Sequence, residues 1–265
     1  FSSYTSLVHS DAIDAVYLPL PPALHFQWAA LALQAGKHVL SEKPATTSFR
    51  DTDYLIKLAG ERNLAFHENY MFAFHQQLDD IQAIVDSGAL GTVRLYRLSF
   101  GFPRREATDF RYNKALGGGA LLDAGGYTIK YASMLLGSTT KLVAAHSQFI
   151  SEFEVDIAGS ATLSNASDTV VQIAFGMDNS YKCDLEVWGS IGTLTSGRVL
   201  TAPAGFIPEA TLKIGNETVT RKLSPDDAFK KSIAHFSDCV YNVSLRTRHH
   251  EQILQQAHLV QQFMN

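Results

Sequence analysis

Cysteine is scarce in this chain of 265 residues: Cys183 and Cys239 are the only two. Two thiols cannot build a disulfide framework or a zinc ribbon, and they fit a reducing, cytoplasmic compartment. Long apolar runs are missing as well. None reaches the roughly 18 residues of a membrane span, so no membrane partner is expected. Formal charge is only −4, with no basic cluster, which removes the electrostatic footprint of a nucleic-acid binder. No internal repeat or low-complexity stretch interrupts the sequence. What remains is ordinary globular composition, 46% hydrophobic and 18% charged, enough for one large domain or two smaller ones. Three sequons, at Asn165, Asn216 and Asn242, are short enough to arise by chance. The chain opens on Phe1 rather than methionine, which leaves an upstream segment, a signal peptide included, open.

The first third alternates strand and helix. Ala15-Val-Tyr-Leu is a short apolar run stopped by Pro19-Leu-Pro-Pro, and it reads as a buried strand. Leu24, Trp28, Leu31 and Ala35 then step at helical spacing, with Gly36 where a C-terminal cap belongs. His38-Val-Leu is the next strand, Ser48 caps a second helix, and Leu64-Ala-Phe is a third strand. This order implies a parallel sheet with helical crossovers, a Rossmann-type layer. A helix over Leu78 to Val85 follows. The texture then changes to spaced strands at Val93–Phe100, Val143–Ile150, Ile157–Leu163, Val170–Phe175 and Lys182–Trp188, which read as one largely antiparallel open sheet. From Pro225 the periodicity is helical. The expected architecture is an N-terminally incomplete α/β layer over residues 1–72, followed by an α+β domain over residues 73–265 for substrate binding and oligomerisation.

"GGGALLDAGGY", residues 117 to 127, looks at first like a phosphate-cradling loop. The spacing fails, because the third glycine of G-x-G-x-x-G would fall on Leu122. The context fails too, since Phe110 to Leu116 is turn-like rather than a strand. No other stretch carries the fingerprint; Gly189-Ser-Ile-Gly192 reads as a turn. The opening strand, glycine loop and acidic ribose contact are therefore expected before Phe1, in roughly 50–60 further residues, or lost from the protein. These residues alone offer no cradle for a pyrophosphate.

The glycine stretch instead opens a helix on which Asp123 and Tyr127, four apart, share one face. Gly125 and Gly126 each cost about 1 kcal/mol relative to alanine there. Their presence fits either close approach by a ligand or backbone, or a tight helix crossing with an exposed tyrosine. "SEKP", Ser41 to Pro44, supplies a second feature: Lys43 stands just past a parallel strand, where ligands of open α/β sheets bind.

"DAIDAVYLPLPPALHFQWAALALQAGKHVLSEKP" together with the later glycine motif resembles the glucose–fructose oxidoreductase / inositol dehydrogenase family, entered after its glycine loop. In that family the lysine of E-K-P sits beside the nicotinamide, and a G-G-G-x-L-x-D-x-G-x-H/Y helix supplies the acid–base residue. The resemblance places Lys43, Asp123 and Tyr127 in those roles and covers essentially the whole chain. "ENYMFAFHQQ", "FGFP", "FRYNKALGGGALLDAGGY" and "YKCDLEVWGSIGTLTSGRVLTAPAGF" are most similar to nucleotide-sugar 3-ketoreductases. Ala73 and Gln76 replace the arginine and proline of an M-Y-R-F-H-P motif that marks glucose–fructose oxidoreductase and the dihydrodiol dehydrogenases.

The resemblance implies an NAD(P)-dependent oxidoreductase that moves a hydride to or from a sugar carbon, with reduction of a keto group on a nucleotide-linked hexose as the leading reading. Glucose–fructose oxidoreductase-like or diol dehydrogenase activity on a free sugar is the alternative, and a non-catalytic binding remnant is another. NADP and NAD stay undivided, because the discriminating acidic position lies upstream. Ketone reduction puts negative charge on oxygen, which Lys43 and Tyr127 stabilise and protonate, with the ammonium favouring the phenolate. Asp123 either positions Lys43 or the sugar, or serves the helix macrodipole. Pro19, Leu20, His25, Glu42, Lys43 and Pro44, on the strand-end loops, are the expected cofactor contacts; a first-turn surface role is the other reading of His25. Tyr112, Gly118 and Tyr181 are substrate-side positions at family level, with core or rim packing as the alternative for the tyrosines. No metal is expected: His67-Glu68 lacks the second histidine of a helical zinc motif, and His249-His250 reads as a solvated pair. A homo-oligomer through the open sheet is implied by the resemblance.

Overall fold

The computed structural model describes all of residues 1–265. A short helix α1 (Tyr4–Val8) leads into β1 (Ala15–Leu18), α2 (Pro22–Gln34), β2 (His38–Glu42), α3 (Phe49–Glu61) and β3 (Phe66–Asn69). The three strands pair in parallel in the order β1-β2-β3, as the alternation of strand and helix requires. Proline starts α2 at its first position, where a missing N–H breaks no helical bond. The Ser48 side chain accepts from the Asp51 amide to start α3, whose buried Thr52, Leu55, Ile56 and Ala59 recur at helical spacing. Ala29, Ala32 and Leu33 of α2 are completely buried. Burying one such leucine contributes about 2 kcal/mol.

After α4 (Gln77–Asp86) the chain builds an eight-stranded sheet from β4 (Val93–Gly101), β5 (Lys141–Phe149), β6 (Asp156–Ser164), β7 (Val170–Gly176), β8 (Lys182–Gly189), β9 (Gly192–Gly197), β10 (Glu209–Ile214) and β11 (Glu217–Lys222). The spatial order is β11-β10-β9-β8-β4-β7-β6-β5, antiparallel except for β4 beside β7. One face carries the larger core, where Leu98, Leu163, Val171 and Leu185 meet Ile129 of α5 (Gly126–Leu136). The other face is open: Val143, Phe149 and Trp188 are 58%, 61% and 48% exposed.

The last two helices, α6 (Ala228–Tyr241) and α7 (Val243–Met264), cross back to the first layer. Ile253 joins its core, and Phe236 and Cys239 pack with Leu40 and Ala65. The β3 edge is closed in this way, since the Phe66 amide donates to His250 Nε2 at 3.2 Å. Arg246 bonds Asn63 and the Cys239 and Val240 carbonyls. α7 thus joins both cores, with Ile253 in the first and Leu259, Val260 and Phe263 in the second. His249 and His250 are buried rather than solvated, a correction that follows from this return of α7.

Candidate active site

Lys43 leaves the end of β2 and crosses to the second layer. Its Nζ lies 2.5 Å from Asp123 Oδ1 and 3.0 Å from the Asp123 carbonyl oxygen, and 4.8 Å from the centre of the Tyr127 ring. The turn Leu121–Gly125 that carries Asp123 is π-helical: the Gly126 amide donates to Leu121 O, five residues back, before α5 becomes regular. That widened turn presents the carboxylate and the carbonyl of one residue to one ammonium. Gly126 allows it because a Cβ there would overlap the Tyr70 hydroxyl. The glycines thus admit protein side chains, with Phe175 pressing on Gly125, rather than a ligand or a second backbone.

Tyr127 is half-buried and not the exposed tyrosine of a helix crossing. Its ring is boxed by Tyr70, Phe72 and Phe100 at centroid distances of 5.2, 5.7 and 5.3 Å, with its hydroxyl 4.0 Å from Met71 Sδ. Burial pushes its pKa above the ordinary phenol value, Asp123 and Glu42 add to the rise, and Lys43 and Arg111 only partly oppose it. Lys43 acts toward the phenolate, as expected, but burial is larger and the net direction is upward. Burial also works against the Lys43 ammonium, yet Asp123, with Tyr127 adding to it, offsets that and holds the pKa above the usual lysine value. For Asp123 burial is likewise outweighed, by Lys43 and then Arg111, and the carboxylate is held below its ordinary range. The resting cluster is therefore a neutral phenol, an ammonium and a carboxylate.

A cleft of about 400 Å³ opens over Lys43 and Asp123 between the strand-end loops and the 3-10 turn Phe110–Tyr112, with Tyr127 outside its lining. Pro19, Leu20, Glu42, Lys43, Pro44 and Gly118 line it, as does Asp123. Glu42 is held by Tyr17 Oη at 2.7 Å and Asn69 Nδ2 at 2.8 Å, which ties the ends of all three parallel strands together. The size fits a ligand ring and a carbonyl compound. It lies outside the carboxyl ends of parallel strands, where such sheets take nucleotides.

Three expected contacts are placed elsewhere. His25 is fully buried, neither a surface residue nor a wall of the cleft. Its ring nitrogens lie 2.7 Å from the Leu20 carbonyl oxygen and 2.8 Å from that of Pro44, so it braces the two cofactor-side loops from behind. Tyr112 is buried, stacked on Phe153 at 4.3 Å, with its hydroxyl bonded to the Arg105 amide and Met177 carbonyl. Tyr181 is half-exposed, bonds Thr201 at 2.8 Å, and lies outside the cleft lining. Arg111 was not singled out from sequence. Its Nε donates to Asp123 Oδ2 at 2.7 Å. The only sequence signal for it is the "FRYN" stretch ahead of the glycines, which has no periodicity to read.

His67, His235 and His249 come together behind the site, with nitrogens within 4.8 Å of one another. His67 and His249 stack at 4.4 Å with only 13° between their planes. Near-parallel rings keep their nitrogens in two separate planes, the arrangement of aromatic packing.

Residues 1–70 match the oxidoreductase family with an NAD-binding Rossmann fold, and residues 78–195 match the GFO/IDH/MocA C-terminal domain. The chain belongs to the Gfo/Idh/MocA oxidoreductase family. It is 41% identical to a dTDP-3,4-didehydro-2,6-dideoxy-alpha-D-glucose 3-reductase of Streptomyces violaceoruber, over 89% of this chain and 70% of that protein. The crystal structure of a 3-ketoreductase from Actinomadura kijaniata, in complex with NADP and TDP-benzene, superposes with a TM-score of 0.93 at 37% identity, over 98% of this chain and 80% of that one. Mutant forms of that ketoreductase carry a substituted lysine or a substituted tyrosine, separated along its chain by the same number of residues as Lys43 and Tyr127. A D-xylose 1-dehydrogenase (NADP(+)) of Haloferax volcanii is more distant, 27% identical over 91% of this chain and 74% of that protein.

Proposed function

We propose that this chain works in an NADP-dependent reduction of a keto group on a dTDP-linked deoxyhexose, with Lys43, Tyr127 and Asp123 as its reacting cluster. The observation that carries the reading is the meeting of Lys43, from the parallel layer, with Asp123 and Tyr127, from the second: Lys43 and Asp123 line one cleft, and the Tyr127 ring packs against the Lys43 ammonium just outside that lining. The identities to dTDP-sugar 3-reductases support the substrate class.

Pro19, Leu20, Glu42 and Pro44 wall the side of the cleft that would hold the nicotinamide. The cofactor supplies a hydride to the carbonyl carbon. As charge gathers on the carbonyl oxygen, the Lys43 ammonium stabilises it and the Tyr127 phenol, kept neutral by burial, offers the proton. Asp123 keeps Lys43 charged and aimed. Gly118 lines the same cleft and would meet the substrate through its backbone.

The test is turnover of full-length protein with NADPH on a dTDP-linked 3-keto sugar and on the matching free sugar. Reduction of the linked sugar alone is expected; equal rates on both would favour a free-sugar dehydrogenase. Lys43→Ala and Tyr127→Phe are each expected to lower kcat by about 10²-fold or more, and wild-type rates in both would refute the cluster. The apolar side chains on the open sheet face support assembly of the protein with copies of itself through that face. Light scattering would show a multimer that charged substitutions at Val143 and Phe149 dissociate. No helix is long and apolar enough to cross a membrane, and a cytoplasmic place fits a dTDP-sugar reductase.

A further inference from the structure

Arg111 reaches the cleft on a backbone fixed from three sides. Its amide donates to Asp109 Oδ1 at 2.9 Å, and its carbonyl accepts from the Gly119 amide at 2.8 Å. Gly118 passes so close to that carbonyl that a Cβ there would overlap it. The guanidinium is equally constrained. Nε donates to Asp123 Oδ2 at 2.7 Å, Nη1 donates to the two Asp109 oxygens at 3.1 and 3.3 Å, and the charge lies 4.6 Å from the centre of the Phe110 ring.

Asp123 is consequently divided between two cations, with Oδ2 given to Arg111 and Oδ1 to Lys43. Lys43, Arg111, Asp123 and Asp109 sum to zero charge. Without Arg111, the whole field of a buried carboxylate would fall on Lys43, which would hold its proton more tightly. A free carboxylate oxygen would also let Asp123 turn about its side-chain bonds, and the aim of Lys43 would go with it.

We propose that Arg111 is a positioning residue for the reduction: it clamps one oxygen of Asp123 so that the other fixes Lys43. This rests on the ketoreductase reading of the same cleft. The groups that act on Lys43 are Asp123, Tyr127 and Arg111 at close range, with His25 and Glu68 behind and Glu42 beside it in the chain. Arg111 opposes Asp123 at Lys43 and pulls the Tyr127 pKa down, so its loss moves both groups the same way, toward tighter proton binding.

The experiment compares full-length wild type, Arg111→Met and Arg111→Lys by two measurements. The first is the rate at which trinitrobenzenesulfonate labels Lys43 near pH 9, read by peptide mapping, where the reactive free amine is the minor form. The second is kcat and KM with NADPH and a dTDP-linked 3-keto sugar. Arg111→Met is expected to slow labelling about tenfold, one pH unit of proton affinity, and to lower kcat by a similar factor with little change in KM. Arg111→Lys restores the charge and is expected to return labelling close to wild type. A cavity that merely exposed Lys43 would speed labelling, the opposite sign. Faster or unchanged labelling, or a rise in KM alone, would overturn the proposal. If Arg111→Met fails to fold, Arg111→Gln carries the same comparison. Wild type inactive on the linked sugar would sink the ketoreductase reading, while the labelling measurement would still decide the role of Arg111.

Discussion

Two lysines of this protein are buried within a few turns of each other and titrate in opposite directions. Lys43 is raised and Lys130 is lowered, in each case with burial as the first cause and a carboxylate working against it. Their carboxylates differ in the same way, since Asp123 is lowered and Glu68 raised. The difference is geometric. Asp123 lies 2.5 Å from Lys43 and has Arg111 on its other oxygen. Glu68 spends Oε1 on the Ala45 amide, its Oε2 has no partner, and it makes no ion pair with Lys130. Burial alone favours neutral groups; only close pairing reverses it. Close pairing favours charge at the cleft floor, and burial works against it in the region behind.

Removing Asp123 should give the largest effect on this contrast. Asp123→Asn leaves a mostly buried Lys43 without its anion and takes one of two carboxylates from the half-buried Arg111. The expected loss is roughly 3–5 kcal/mol in stability, together with most of the turnover. Urea denaturation and steady-state rates would check it; stability within about 1 kcal/mol of wild type would mean that the pairing contributes little.

The region behind should respond differently. Replacing both Glu68 and Lys130, as Glu68→Gln with Lys130→Met, removes two desolvated groups that fail to pair. Stability is expected to stay level or rise by about 1–4 kcal/mol. A loss as large as that of Asp123→Asn would erase the distinction between the two regions.

Acidification should sharpen it further. His67 and His250 are buried neutral, lowered to about 3 and about 4 from 6.5, chiefly by burial. Their folded forms bind fewer protons than the unfolded chain below pH 6.5. Stability is therefore full above that value and falls as pH drops toward 4 and then 3. His250 also accepts the Phe66 amide through Nε2, so its protonation breaks a bond at the β3 edge. The slope of the urea midpoint between pH 6.5 and 4 should flatten in His250→Gln. An unchanged slope would show that other groups carry the acid response.

The sequence already displayed much of this architecture, and the reason is periodicity. The alternating strands and helices of the parallel layer and five strands of the large sheet announce themselves by apolar spacing and by Pro and Gly at their ends. Strand β11 did not, because it is exposed along its whole length and has no buried stripe to read, and β9 and β10 alternate over only six residues each. Nor did the return of α7, whose buried face includes Arg246, His249, His250 and Gln256, polar residues that look solvated in one dimension. At the site, Lys43, Asp123 and Tyr127 were legible through paired motifs. Arg111 and the bracing role of His25 depend on contacts between segments far apart in the chain or on irregular turns, and no local pattern encodes them.

The smallest expected effect concerns two tyrosines assigned together at family level. Tyr127 lies 4.8 Å from Lys43 Nζ, in the proposed reacting cluster, whereas the Tyr181 hydroxyl bonds Thr201 and its ring lies 5.5 Å from the Arg198 guanidinium, with no contact to that cluster. Tyr181→Phe loses one exposed hydrogen bond, a change of about 0.5 kcal/mol or less. Its kcat and KM are expected to stay within about twofold of wild type, against a loss of about 10²-fold or more for Tyr127→Phe. A rise of tenfold in KM for Tyr181→Phe would mean that bound substrate extends past the cleft to β8, and that the site is larger than its charged floor.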